Sequence, residues 1–180
     1  MLEDYIQLLL QLVEAVPDVI YQSAAFPLAF RASMAALTLI HSDLVFAALE
    51  LFRVVMTHDS FIPSSAQPTK HTVNATAIKV VVQKEGFELV GYLLGGLVGD
   101  FPEESTSSVV SIFRGIAVAH SPQLLTWLPP VLQQLPTSAV PNEAKEQFMM
   151  DVTKWVFVLL AVSRSEFCCS VPSILDSTTK

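Results

Sequence analysis

The chain alternates between apolar segments of helical length and short runs rich in proline, serine or glycine. In the first segment, Leu2 to Val16, apolar side chains recur every three or four residues, which is typical of an amphipathic α-helix. The same periodicity, interrupted by proline and by capping residues, predicts further helices. The predicted helices cover residues 2–16, 27–40, 44–58, 74–98, 103–120, 122–135 and 142–163.

Two connecting features refine this pattern. Residues 59–72, which include Pro63 and Pro68, are predicted to form a loop. Pro129 and Pro130 are expected to kink or break the helix that contains them, because an internal proline removes a hydrogen bond and clashes with the preceding turn. No stretch combines strict apolar–polar alternation with hairpin turn residues, so an all-α fold is predicted.

The segment from Leu44 to Met56 says most about the fold. Glu50 and Arg53 are its only charged residues, and with Asp43 they fall on one narrow stripe. A helix with so little polar surface needs neighbours around most of its circumference. Helical pairs stacked in a row provide neighbours on two sides. The residues expected in the core are Leu44, Leu51, Phe52 and Val55.

Composition narrows the possible functions. Hydrophobic residues make up 52% and charged residues 15% of the 180 positions, which is ample apolar material for a core. The net charge of −7 argues against a nucleic-acid-binding surface, which depends on clustered Lys and Arg. No stretch reaches the roughly 20 consecutive apolar residues of a membrane-spanning helix. Neither nucleic acid nor a membrane is therefore expected as a direct partner.

Reactive side chains do not form a recognisable catalytic or metal site. Cys168 and Cys169 are adjacent, which excludes a disulfide framework, and no Cys or His spacing fits zinc. The runs His41-Ser42-Asp43 and His58-Asp59-Ser60 contain the residue types of a hydrolase triad, but a triad converges from separate elements. Helix ends explain both runs better, with Ser42 or Asp43 as a cap. We expect no catalysis and no cofactor.

Glycines and isolated large side chains are given structural roles. Gly91, Gly95, Gly96 and Gly99 lack the preceding strand and the Gly-Lys-Ser/Thr run of a phosphate loop. Close helix packing or local kinking is the expected role of these glycines. Among the remaining aromatic and imidazole side chains, Trp127 and Trp155 are expected in the core, and His120 at the edge of a loop without a partner.

Three groups of residues carry a family resemblance. They are Phe26 to Leu37 with Asp43 to Arg53 behind it, Phe101 to Glu104 followed by Val109 to Phe113, and Ser121 to Leu128 followed by Leu135-Pro136. In order and spacing they resemble the late HEAT repeats of the importin-β (karyopherin) family, in its transportin-SR branch. The resemblance covers Leu2 to Lys154, most of the chain.

The resemblance implies a HEAT-type α-solenoid of about seven helices, in which antiparallel helical pairs stack into a right-handed superhelix. It implies part of a nuclear import receptor that shuttles between cytoplasm and nucleus and binds protein cargo, above all serine/arginine-rich RNA-binding proteins. Ran-GTP binds mainly the N-terminal arch of such receptors. Ran GTPase and nucleoporins are therefore expected as partners through the full-length receptor.

The resemblance also sets the expected domain organisation. Residues 1–165 are expected to form a C-terminal HEAT-repeat segment, and residues 166–180 an irregular or disordered tail. After Lys154 the family continues with a polar, basic helix, whereas this chain continues with the apolar run Trp155 to Leu160. Two other functions stay open: a helical-repeat scaffold of another family, and an α-helical enzyme or lipid-binding bundle with an interior pocket.

Four charged residues are the candidate binding residues. In HEAT receptors the second helix of each pair lines the concave surface, and Asp43, Glu50 and Arg53 are the only charges on one such candidate helix. Arg114 is the corresponding lone charge on the next candidate. We expect these residues to contact cargo or to connect neighbouring repeats. The alternative is a solvated stripe that pairs within its own helix.

Overall fold

The computed structural model describes residues 1–58, 68–99 and 101–168, with residues 68–72 and 159–168 contributing helical backbone. All regular structure in these ranges is helical, which confirms the all-α prediction. A single 3-10 turn, Glu103–Ser105, precedes the sixth helix. The seven α-helices of the described ranges are α1 Leu2–Ala15, α2 Pro17–Tyr21, α3 Phe26–Ala36, α4 Ser42–Met56, α5 Pro68–Val98, α6 Thr106–Gln134 and α7 Asn142–Cys168.

Prolines begin two helices where the sequence pattern does not predict them. Pro17 ends the first apolar stripe, yet it starts the short helix α2 after Val16 leaves the helical region at φ −140° and ψ 57°. Pro68 starts α5, so the loop predicted for residues 59–72 is wrong for residues 68–72. Residues 59–67 lie outside the described ranges. Proline suits a first helical turn because its φ is preset and its missing N–H needs no partner there.

Two helix ends differ from their predicted positions. Helix α3 ends at Ala36 instead of residue 40, because the amides of Leu37 and Thr38 turn to carbonyls three residues back, each at 3.1 Å. Bonds of this kind tighten a last turn and close it. Helix α7 continues past residue 163 to Cys168 and so enters the range predicted as a tail. Residues 169–180 of that tail lie outside the described ranges.

Helix α6 bends once, at His120, where φ is −139° and ψ is 36°. The sequence predicts two helices separated near Pro122, and the separation takes the form of this bend. Pro122 cannot donate a backbone hydrogen bond, and the residue before a proline is disfavoured in the α conformation. The prediction that Pro129 and Pro130 kink the helix is wrong, because the backbone stays helical there. Both prolines are exposed, so water can reach the carbonyls they leave unpaired.

The helices pack mainly against near neighbours in chain order. Helix α4 packs against α1, α3 and α6, while α5 packs against α2, α3 and α6. Helix α7 packs against α6, and α1 and α7 are not among the packed pairs of the described residues. One continuous apolar core runs through the array.

Helix α4 is buried as its sequence predicts. Leu44, Leu51, Phe52 and Val55 are 6%, 3%, 0% and 1% exposed, which confirms the expected core positions. The Phe52 ring meets Phe30 of α3 edge to face, with ring centroids 5.0 Å apart. Aromatic pairs in this geometry contribute beyond the area they bury.

Glycines allow close helix contacts, though not at the positions expected. A Cβ at Gly115 of α6 would lie 2.4 Å from the Met56 carbonyl oxygen of α4, and one at Gly86 would meet the Trp127 ring. At Gly91 and Gly95 a Cβ would meet nothing within 4 Å, so the close-packing prediction is wrong for these two. Backbone-to-backbone approach therefore joins α4 and α6 at Gly115.

The Gly115 contact predicts opposite effects for two chemically identical substitutions. Gly115→Ala should lower the free energy of unfolding by roughly 1–3 kcal/mol, because the new methyl clashes with backbone that cannot rotate away. Gly91→Ala should raise it by up to about 1 kcal/mol, because alanine favours the helix and the space is open. Urea titrations of both variants measure the difference. A stabilised Gly115→Ala variant would contradict the close approach of α4 and α6.

His120 is buried at the bend instead of lying at a loop edge. It is 1% exposed, and its Nε2 has no hydrogen-bond partner. Burial, with a smaller contribution from the charge of Lys79, lowers the pKa of His120 to about 4. The neutral imidazole is therefore the form that fits the folded chain.

This burial predicts an acid-dependent loss of stability. The folded-state pKa of His120 is depressed below its unfolded value, so protons bind more strongly to the unfolded chain. The stabilising contribution is complete above about pH 6.5 and is lost as the pH falls toward 4. Between pH 7 and about 4.5, the wild-type free energy of unfolding should fall by roughly 2 kcal/mol more than that of His120→Leu. Parallel pH profiles for the two proteins would contradict it.

Candidate protein-binding surface

Glu50 and Arg53 form an ion pair within α4. The Arg53 Nε donates to Glu50 Oε2 at 2.8 Å, and Arg53 Nη2 contacts the second carboxylate oxygen. Both side chains remain 39% exposed. Two parallel contacts of this kind give a guanidinium–carboxylate pair a defined geometry. The charged stripe of α4 thus includes a pair that satisfies itself.

The electrostatics of the pair extend to α1. The hydrogen bond from Arg53 lowers the pKa of Glu50, and the reciprocal bond raises the pKa of Arg53. Glu14 of α1 contributes to the raised pKa of Arg53 through its charge. Exposed pairs of this kind are worth about 0.3–0.5 kcal/mol. Arg53 therefore lies between two acidic groups, one on its own helix and one on the neighbouring helix.

Asp43 lies apart from this pair at the start of α4. It is exposed in the first turn, and the residue in the capping position is His41, with an extended backbone and no side-chain cap bond. The prediction that Ser42 or Asp43 caps this helix is wrong. Asp43 instead favours the helix through its negative charge near the N-terminal dipole.

Arg114 is the candidate residue with the most distinctive surroundings. It is exposed on α6, and it has no ion-pair partner among the described residues. On one side it borders a cleft of about 260 Å³ that includes Met56 and His58 at the end of α4. On the other side it borders a groove of about 430 Å³ between α5, α6 and α7.

This second groove, called the α5–α6–α7 groove below, is mostly apolar. Leu94, Val109 and Phe113 are buried, and these three side chains form its floor. Phe148 and Trp155 of α7 border it opposite Arg114. Trp155 is only partly buried, so its expected place in the core is correct only in part.

The structure brings the four candidate residues into two places, not one. Glu50 and Arg53 contact each other, Asp43 lies at the far end of α4, and Arg114 lies beside the grooves of α6. The expected connection between neighbouring helices is made mainly by other residues. Arg31 of α3 donates to Glu85 of α5 at 2.8 Å, and Asn74 of α5 donates to Asp18 of α2 at 2.6 Å.

A sequence signal for these connections exists. Asn74 and Glu85 fall in register with the apolar residues Ile78, Val82 and Leu89, and all five side chains are buried. A polar residue on the buried stripe of a helix must find a partner on a neighbouring helix. Reading the polar members of that stripe would have identified both connections.

The Arg31–Glu85 and Glu50–Arg53 pairs predict unequal mutational effects. Arg31→Met should lower the urea midpoint, because it leaves the Glu85 carboxylate, whose side chain is 9% exposed, without its cation. Arg53→Met should change the midpoint little, because the Glu50 carboxylate can be hydrated at 39% exposure. Equal shifts in the two variants would contradict the assignment of the inter-helix connection to Arg31 and Glu85.

Other site types find no support in the described part of the chain. Its described side chains include no group of three or more His, Cys, Asp or Glu suited to a metal ion. No helix among the described residues combines the length and apolar character needed to cross a bilayer. Of the two His-Ser-Asp-type runs, Asp59 and Ser60 lie outside the described ranges, and the His58 ring packs edge to face on Tyr21 at 5.0 Å.

Comparison with known proteins gives no family assignment. No protein-family model matches the chain, and no curated protein matches its sequence.

Proposed function

We propose that this chain is part of a nuclear import receptor of the karyopherin-β type and that it acts by binding protein cargo. The order of helical packing is the observation that supports the proposal best. Helices α1, α4, α6 and α7 pack in succession, and α3, α5 and α6 form a second succession beside them. Helical pairs stacked as HEAT repeats would give two such series.

The two halves of α6 support the same arrangement. Before the bend, Gly115 approaches α4, and after the bend Trp127 lies against Gly86 of α5. A helix that serves both series would act as the second helix of one pair and the first helix of the next. The right-handed HEAT superhelix belongs to the proposal on these grounds, together with the sequence resemblance over Leu2 to Lys154.

Serine/arginine-rich proteins are the proposed cargo. Their arginines would favour the acidic character of the chain, whose net charge is −7. Glu14, Asp43 and Glu50 lie on the α1–α4 side of the array, where Arg53 is partly neutralised by its own pair. Contacts with Ran GTPase and nucleoporins would be made by the complete receptor, which would shuttle between cytoplasm and nucleus.

A scaffold of another helical-repeat family is the competing function, since no family model matches. Ran-dependent cargo release separates the two. The complete protein containing this chain should bind an immobilised arginine–serine repeat domain and release it on addition of Ran-GTP, with Ran-GDP as the control. Binding that ignores the nucleotide state of Ran would favour the scaffold, and absence of binding would reject the proposed cargo.

Charge reversal tests the role of the α4 stripe in that protein. The pair Glu50→Lys with Arg53→Glu keeps the net charge and should reduce cargo capture by about threefold or less, more at low salt than at moderate salt. Asp151→Lys with Lys154→Glu is the matched control, because these residues form an exposed i,i+3 pair on α7. Capture equal to wild type at both salt concentrations would remove Glu50 and Arg53 from the binding surface.

A further inference from the structure

The α5–α6–α7 groove combines exposed apolar edges with one charge. Val110 and Phe148 on its edges are 51% and 37% exposed. Among the described side chains that line the groove, Arg114 is the only charged one. Its volume of about 430 Å³ lies in the range usual for ligand sites, about 300–1,000 Å³. Such a surface leaves both apolar area and a cation without a protein partner.

The chemistry of the groove selects one kind of occupant. A segment that covers the apolar edges also removes water from the Arg114 guanidinium, which is costly unless a carboxylate replaces that water. A carboxylate can accept two parallel hydrogen bonds from the guanidinium fork. A basic segment would instead place like charges together. An acidic segment with apolar side chains on one face satisfies both demands.

We propose that the α5–α6–α7 groove binds an amphipathic protein segment that presents apolar side chains to Phe113, Phe148 and Trp155 and a carboxylate to Arg114. A helix laid into an apolar groove is an established mode of peptide recognition. The preference is opposite in charge to that of the proposed serine/arginine-rich cargo. The inference is therefore independent of the proposed function and would hold equally for another helical scaffold.

Two synthetic peptides of about 12 residues test the proposal, one of Leu and Glu in helical spacing and one with Lys at every Glu position. Each is titrated into the ¹⁵N-labelled chain, and the two indole N–H signals are followed by NMR. Trp155 borders the groove, whereas Trp127 lies against Gly86 and serves as the internal control. The variant Trp155→Phe assigns the signals.

The Leu/Glu peptide should shift the Trp155 signal and bind about fivefold or more tightly than the Leu/Lys peptide. The net charge of −7 favours the Leu/Lys peptide, so this preference identifies the local cation. Arg114→Glu should reverse the preference, and an unchanged Trp127 signal would show that the variant is folded. Lys154→Glu is the matched control, since this exposed α7 residue does not line the groove, and it should keep the wild-type preference.

Three results would overturn the proposal. The first is equal or tighter binding of the Leu/Lys peptide to the wild-type chain. The second is a Leu/Glu preference that survives Arg114→Glu, which would place the recognition elsewhere. The third is a Trp155 signal that shifts with protein concentration in the absence of peptide, which would identify a second copy of the chain as the occupant.

Discussion

Helix α4 has one narrow polar edge, and this constraint determines how the other helices are arranged. Nine of its fifteen residues are buried, including Leu49 and Phe52 at 0% exposure. A helix of this composition is stable only when neighbours cover nearly all of its surface. Helices α1, α3 and α6 provide that cover from different directions. The array is therefore built outward from α4, and the polar edge is all that α4 presents to solvent.

Covering α4 so completely requires a close approach that only certain residues permit. At Gly115 the backbone of α6 reaches the carbonyl of Met56, and the absence of a side chain makes that distance possible. Five residues later α6 bends at His120, and its second half reaches α5. The bend lets one continuous helix cover two partners. It also buries an imidazole that has no hydrogen bond for its Nε2.

The sequence predicts the fold where local periodicity decides the outcome. The all-α class, the core positions of α4 and the approximate positions of most helices follow from the spacing of apolar residues. The failures share a physical cause, since each depends on what lies opposite in space. Pro129 and Pro130 fit into α6 because their faces are exposed, and Gly91 and Gly95 have no neighbour to pack against.

The candidate site divides in the same way. The self-pairing of Glu50 and Arg53 follows from their separation of three residues, which places them side by side on a helix. The partner of Glu85 is 54 residues away, so no local pattern names it. The isolation of Arg114 is likewise a property of the surrounding helices and not of the α6 sequence. Sequence identifies which charges exist, and tertiary packing decides which of them find partners.

That division bears on which charges are available for recognition. The Glu50 carboxylate accepts two contacts from Arg53, so a partner must compete with an existing bond to use either group. Glu85 is similarly engaged, and it is buried as well. Arg114 has no such competitor among the described residues, and it stands beside apolar side chains that are already partly exposed. A carboxylate that reaches it breaks no existing ion pair and displaces water from an apolar edge at the same time, which makes Arg114 the charge whose pairing changes most on binding.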